Sequence, residues 1–169
     1  LGLLHPNKGK ITIAGNDNRS TDARRLFTYL PEKFAPPMNL RGREFLELTL
    51  SFYGQEYDEE KATQTCLELD LNPSALQQYT RQYSKGMGQK LGLVATFMTD
   101  VQVLILDEPM SGLDPKARVA LKRKICSYVA EHEQRAVFFS SHIMADIEEI
   151  CDRIVVLHAS KIRYSGDVQ

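Results

Sequence analysis

The stretch "VLILD" (Val103 to Asp107) constrains this chain more than any other. Four apolar residues run without interruption into two carboxylates, Asp107 and Glu108, and then into Pro109. Such a run, bounded by turn residues, reads as a strand buried on both faces. Similar runs recur as "LFTYLP" (Leu26 to Pro31), "RAVFFSSH" (Arg135 to His142) and "RIVVLHA" (Arg153 to Ala159). "KITIAG" (Lys10 to Gly15) alternates as a strand does, and "KIRYSGDV" (Lys161 to Val168) reads as an edge strand. Helical patterns lie between them. "SKGMGQKLGLVATFMTD" opens with a Ser cap at Ser84, and "PKARVALKRKICSYVAEH" carries Pro115 in its first turn. "IMADIEEICD" is a third helix. Apolar strands alternating with helices imply an α/β fold, with a mostly parallel sheet flanked by helices on both faces.

The character changes after Asn39. "REFLELTLSFYG" and "DEEKATQTCLELDL" space Leu, Phe and Cys as helices do. We read residues 39–83 as a small helical subdomain inserted in an α/β core of residues 1–38 and 84–169. Plain core packing is the expected role for most of Phe45, Leu46 and Phe52. The opening "LGLLHPNKGKITIAG" reads like the last turn of a helix, a turn and a strand, as in a piece of a longer chain.

Composition narrows the class. Net charge is −1, so bulk charge favours neither nucleic acid nor an anionic membrane. No apolar run reaches the ~18 residues of a membrane helix. Three dispersed cysteines, Cys66, Cys126 and Cys151, fit reduced thiols rather than a disulfide framework or zinc site.

In an open parallel sheet, ligands sit beyond the carboxyl ends of the strands. Two strands end in useful groups: Asp107 and Glu108 on one, His142 on another. One carboxylate on Mg²⁺ beside a second that orients or deprotonates water suits phosphoryl transfer to water. "YSKGMGQK" (Tyr83 to Lys90) begins a helix whose free backbone N–H groups and positive dipole end suit an anion. Ser84 adds a hydroxyl, and Lys85 or Lys90 is a candidate charge. Lys122, Arg123 and Lys124 read as a solvated helix face. His5, His132 and His158 lack partners at ligand spacing and read as surface or edge residues.

The order of these pieces resembles the ATP-binding cassette family, a branch of the phosphate-loop NTPases. "YSKGMGQ" resembles its signature motif, through Ser84 and Gly86, in the form seen among exporter-type ATPases. Lys85 stands where the best-known form has Gly, and Met87 where it has Gln. "LILDEP" resembles the Walker B element, "SGLDP" the D-loop through Asp114, and "SSHIM" the switch through His142. "YLPEKFAPP" is similar to the Q-loop, with Glu32 in place of Gln. The resemblance implies Glu108 and His142 as catalytic residues. It implies nucleotide contacts from Ser84, Gly86, Gln89 and Asp114, and Mg²⁺ held by Asp107 with Glu32. The cofactors implied are ATP and Mg²⁺. The partners implied are a second nucleotide-binding domain, identical or different, and transmembrane permease subunits, with no nucleic acid. The implied place is the cytoplasmic face of the membrane, peripherally bound.

Two departures from the family pattern stand out. No G-x-x-x-x-G-K-[ST] occurs in the 169 residues. "NKGKIT" has Gly-Lys, but Ile11 follows and the upstream Gly spacing is lacking. In the family, the phosphate loop directly precedes a stretch like "LGLLHPNKGKI", and the aromatic residue that stacks on adenine lies further upstream. These 169 residues are therefore expected to begin just after that loop and to bind ATP poorly by themselves. Glu32 in place of Gln adds negative charge beside Asp107 and Glu108 and is expected to be tolerated. The alternatives are a family member without a membrane partner, of translation type, and a non-catalytic truncated cassette acting as half-site or interaction module. About fifty residues separate Glu32 from Ser84, too few for the long coiled coil of repair-type members.

Overall fold

The computed structural model describes residues 6–168. The apparent helix end in residues 1–5, with His5, lies outside the described residues. The chain opens with a two-strand hairpin, β1 (Thr12–Ile13) and β2 (Asn16–Asp17). Its turn residues Ala14 and Gly15 both have positive φ, 45° and 82°, as a tight turn between right-twisted strands requires. A four-residue helix, α1 (Thr21–Arg24), follows and is capped by Ser20, whose hydroxyl accepts from Ala23 N–H. No sequence pattern indicated β2 or α1.

The centre is a parallel ladder of three strands: β3 (Phe27–Leu30), β4 (Val103–Leu106) and β5 (Ala136–Phe139). β4 lies in the middle, and its register sets Leu30 opposite Leu106 and Leu106 opposite Phe139. All three strands therefore stop at one level. Alternation along them places Thr28, Leu30, Leu104 and Leu106 on one buried face.

The stretch 39–83 forms α2 (Gly42–Ser51), α3 (Glu59–Glu68) and two short 3-10 turns, Pro73–Gln77 and Thr80–Gln82. Asp58 caps α3 by accepting from the amides of Glu60 and Lys61, satisfying two donors that no helix can bond internally. Leu46 is fully buried and Phe45 half-buried, as core residues, but Phe52 is 76 % exposed.

The next helix, α4 (Lys85–Met98), is buried on every side from Gly88 to Met98. It contacts α2 and α3 as well as β3. One contiguous cluster therefore joins Leu46 and Leu50 of α2, Cys66 of α3, Leu91 and Val94 of α4, and Leu104 and Leu106 of β4. Each such side chain contributes about 1.5–3 kcal/mol by leaving water. Burial also pushes the Cys66 thiol up to about 12. Gly92 is what lets α4 lie so close. A Cβ there would meet the Phe34 ring at 2.6 Å and Leu30 at 2.8 Å.

Two more helices complete the described chain, α5 (Pro115–Glu131) and α6 (Met144–Ile150). Leu121 and Ile125 of α5 belong to the same core. β6 (Arg153–His158) and β7 (Lys161–Asp167) do not join the parallel sheet. They form a separate antiparallel hairpin. Ala159 and Ser160 at its tip both take positive φ, 50° and 58°, which turns the chain straight back. The expectation of cover on both sheet faces is also met on one only, among the described residues. On the other face Ile105 is half-buried and Phe138 is 64 % exposed, and in the hairpin Leu157 is 71 % exposed. Apolar runs record which residues favour burial, not which segment provides it.

The run Lys122, Arg123, Lys124 also differs from expectation. Lys122 is largely buried and pairs with Asp146 at 2.8 Å, while Lys124 pairs with Glu68 at 2.7 Å. Only Arg123 is an exposed cation of the solvated kind. His132 and His158 are exposed, as expected.

Because Gly92 faces side chains with little room to retreat, Gly92→Val is expected to destabilise the fold by about 1–3 kcal/mol. A urea unfolding midpoint equal to that of the wild type would contradict the close approach of α4 to β3.

Candidate functional site

The common level at which β3, β4 and β5 stop brings together three of the predicted residues, Asp107, Glu108 and His142. The last ladder bonds run from Asp107 N–H to Leu30 O (2.9 Å) and from Ser140 N–H to Leu106 O (3.0 Å). Past them, β4 delivers Asp107 and Glu108 into a half-buried edge. Asp107 Oδ1 accepts from the Ser140 hydroxyl at 2.7 Å. The Tyr29 hydroxyl lies 3.5 Å from Asp107 Oδ2. Burial, and after it the Asp107 charge, raises the Tyr29 pKa, which keeps the phenol a neutral donor.

Glu108 has φ +45°. For a residue with a Cβ this region costs on the order of 1–3 kcal/mol and concentrates at functional sites. The kink turns the Glu108 side chain towards the end of β5, where its Oε2 meets His142 Nδ1 at 2.9 Å. With the proton on Nδ1, the imidazole donates to the carboxylate and leaves Nε2 free. The His142 side chain is 75 % exposed, whereas that of Glu108 is 23 % exposed. Carboxylate and imidazole, 34 residues apart in sequence, are thus brought into direct contact at an open rim.

The signature segment is placed as a helix start. Ser84 caps α4, its hydroxyl accepting from Met87 N–H at 3.2 Å. Gly88 N–H goes to Ser84 O. The amides of Lys85 and Gly86 are at helix positions that have no internal partner. Gly86 lies against the turn of "SGLD", since a Cβ on it would meet Gly112 O at 3.5 Å. The Lys85 side chain runs over Gly112. Gln89 does not fit the role expected of it. It is 4 % exposed, and its buried amide nitrogen has no hydrogen-bond partner among the described residues. It faces inward from the second turn of α4, not outward at the tip.

Lys90 is likewise unavailable to an anion. Its Nζ is buried and bonds Asp70 O (2.8 Å), Asp70 Oδ2 (2.7 Å) and Asp114 Oδ2 (3.3 Å). Asp114 also caps α5, accepting from Ala117 N–H at 3.0 Å. Asp70, at φ 56°, ends the turn after α3 and also receives Lys116. This cluster ties the signature helix to the segment carrying Asp114. Hydrogen bonds from Lys116 and Lys90 hold the Asp70 carboxyl below the usual carboxylate range. The amide of Ala117, then Lys90, does the same for Asp114.

Glu32 follows β3 and is exposed. Among the described residues, no group of three or more His, Cys, Asp or Glu side chains converges as a metal cage. Mg²⁺ does not need one. It is commonly held by one or two carboxylates together with substrate phosphates and waters. Asp107, with one oxygen anchored by Ser140, fits such a ligand. Among the described residues, no helix is long and apolar enough to cross a membrane.

Comparison with known proteins agrees with this geometry. The family model described as "ABC transporter" matches residues 1–111. An uncharacterized ABC transporter ATP-binding protein of Synechocystis is 34% identical over 99% of this chain and 48% of its own length. The ABC-type transporter ATP-binding protein EcsA of Bacillus subtilis is 33% identical over 98% of this chain and 68% of its own. The bacitracin transport ATP-binding protein BcrA of Bacillus licheniformis is 31% identical over 96% and 53%. A solved ATP-binding subunit of an ABC transporter superposes with a TM-score of 0.90 at 32% identity, covering 99% of this chain and 70% of that one. This chain belongs to the ABC transporter family. Its fold is that of the family's ATP-binding subunits, a parallel α/β sheet flanked by helices. The chain spans about half the length of the Synechocystis relative and of a Nostoc one.

The Asp70 carboxyl sets a pH dependence of known sign. Its folded pKa is lowered, so the stability it contributes is present above the unfolded value of about 3.9 and is lost as pH falls through the folded value. Unfolding midpoints measured from pH 7 down to pH 3 are expected to fall less steeply for Asp70→Asn than for wild type. Parallel curves would place the stabilisation elsewhere.

Proposed function

We propose that this chain is the ATP-binding and ATP-hydrolysing part of an ABC membrane transporter subunit. The observation that carries the reading is the contact of His142 Nδ1 with Glu108 Oε2 at 2.9 Å, beside an Asp107 anchored by Ser140. Glu108 serves as the general base that takes a proton from the attacking water. His142 holds one oxygen of that carboxylate, leaving Oε1 for the water. Asp107, with Glu32 at the neighbouring strand end, would hold Mg²⁺, which supplies positive charge to the phosphate oxygens.

Ser84 and the amides of Lys85 and Gly86 present an anion site at the start of α4. Asp114 keeps that site aligned through Lys90. In this reading the site is offered to a nucleotide held by a second nucleotide-binding domain, and transport is powered by closure and release of the pair. Gln89 is left out of the nucleotide contacts, because its side chain is buried. The relatives' names call them transporter ATP-binding proteins, and with that class we infer a transmembrane permease as the further partner and the cytoplasmic face of the membrane as the place of work. The membrane-free translation-type reading has no observation in its favour.

Glu108→Gln in the full-length protein is expected to lower kcat by about 100-fold or more, the range of a lost general base, with ATP binding retained. Turnover within a factor of two of wild type would remove Glu108 from the role of base. The 169 residues by themselves, having no G-x-x-x-x-G-K-[ST], are expected to show no saturable Mg²⁺-dependent ATP hydrolysis in a clean preparation.

A further inference from the structure

Ser140 was not singled out by any sequence pattern, yet it sits where both carboxylates are controlled. Its hydroxyl accepts the backbone N–H of Glu108 at 2.8 Å and donates to Asp107 Oδ1 at 2.7 Å. Its own N–H closes the parallel ladder on Leu106 O. One hydroxyl therefore uses both its donor and its acceptor capacity on two adjacent residues.

The placement matters because of the chain's path. β4 ends at Leu106, and Asp107 N–H still finds a ladder partner in Leu30. Glu108 N–H is the first amide past the ladder, and Glu108 is the residue in the left-handed conformation. Without a partner, a half-buried N–H at a strained residue favours relaxation of the kink. Ser140 supplies that partner from the neighbouring strand. Its proton, in turn, occupies one Asp107 oxygen and so fixes the rotation of that carboxylate. Two residues further along the same segment, His142 takes hold of Glu108 Oε2. The end of β5 thus grips Glu108 at its backbone through Ser140 and at its side chain through His142.

We propose that Ser140 is a positioning residue for hydrolysis, holding Glu108 in its kinked backbone state and Asp107 in a single carboxylate orientation. The inference rests on the reading of Glu108 as base and Asp107 as metal ligand. A threonine keeps the hydroxyl, and valine has nearly the same shape without it, so the two substitutions separate hydrogen bonding from packing.

The test compares Ser140→Thr and Ser140→Val in the full-length protein by two readouts. The first is amide hydrogen exchange at Glu108 without nucleotide or metal. The second is steady-state ATPase kinetics. Ser140→Val is expected to speed exchange at Glu108 by about tenfold, the value of one ordinary hydrogen bond. It is expected to lower kcat by roughly 10–100-fold, as loss of an outer-shell partner does, with KM for ATP within about twofold, since the ligand contacts themselves are intact. Ser140→Thr is expected to stay near wild type in both. Equal behaviour of Thr and Val, whether both active or both impaired, overturns the proposal. So does slow Glu108 exchange in Ser140→Val. If Glu108→Gln keeps its turnover, the catalytic reading fails instead, and the exchange measurement still decides whether Ser140 holds the kink.

Discussion

The shared end point of three parallel strands is the constraint on which the site depends. Leu30, Leu106 and Phe139 occupy one rung, so the residues that follow them emerge side by side. A one-residue slip of β5 against β4 would turn every side chain to the opposite face and carry Ser140 and His142 away from the carboxylates. The register is fixed by burial. Leu104 and Leu106 of β4 are nearly inaccessible on the face that meets the helices, and Val137 and Phe139 of β5 pack against the same core. Packing on one side of the sheet therefore sets distances of 2.7–2.9 Å at its end.

Helix α4 transmits the same order to the second half of the site. It touches both the sheet and the helices of residues 39–83, and it is buried all round from Gly88 to Met98. Its N-terminus is held by Ser84, by the close approach of Gly86 to Gly112 and by Lys90 reaching to Asp70 and Asp114. The ionic cluster is largely buried at Lys90, where three oxygens surround one ammonium. Such a group is costly to leave unpaired. The signature segment and the segment of Asp114 consequently share one rigid link.

Much of this was legible in the sequence. The apolar runs indicated β3, β4, β5 and β6, the edge-strand pattern indicated β7, and Ser84 and Pro115 marked helix starts that the structure contains. Asp107, Glu108 and His142 stand out because charged groups seldom end an apolar strand without cause. What escaped is what depends on distant neighbours. Ser140 looks like any serine after a strand until Asp107 and Glu108, over thirty residues earlier, are placed beside it. Lys122 and Lys124 read as solvated because lysine usually is, and Lys90 reads as a charge available to an anion. Their burial follows from carboxylates on other elements, which no local spacing encodes. Gln89 falls outside the exposed helix tip because of the 100° step per residue, which turns the second turn of α4 into the core.

The open sheet face has a practical consequence for anyone handling these residues in isolation. Phe138 lies bare beside half-buried Ile105, the hairpin presents Leu157 and Ile162, and both outer strands of the ladder have an unpaired edge among the described residues. Water-facing apolar surface next to free strand edges is a template for adhesion between molecules. A preparation of the lone polypeptide is thus prone to concentration-dependent association through that surface. Light scattering or crystal packing of such material reports on that surface, and a dimer found there is separate from the pairing proposed for ATP hydrolysis.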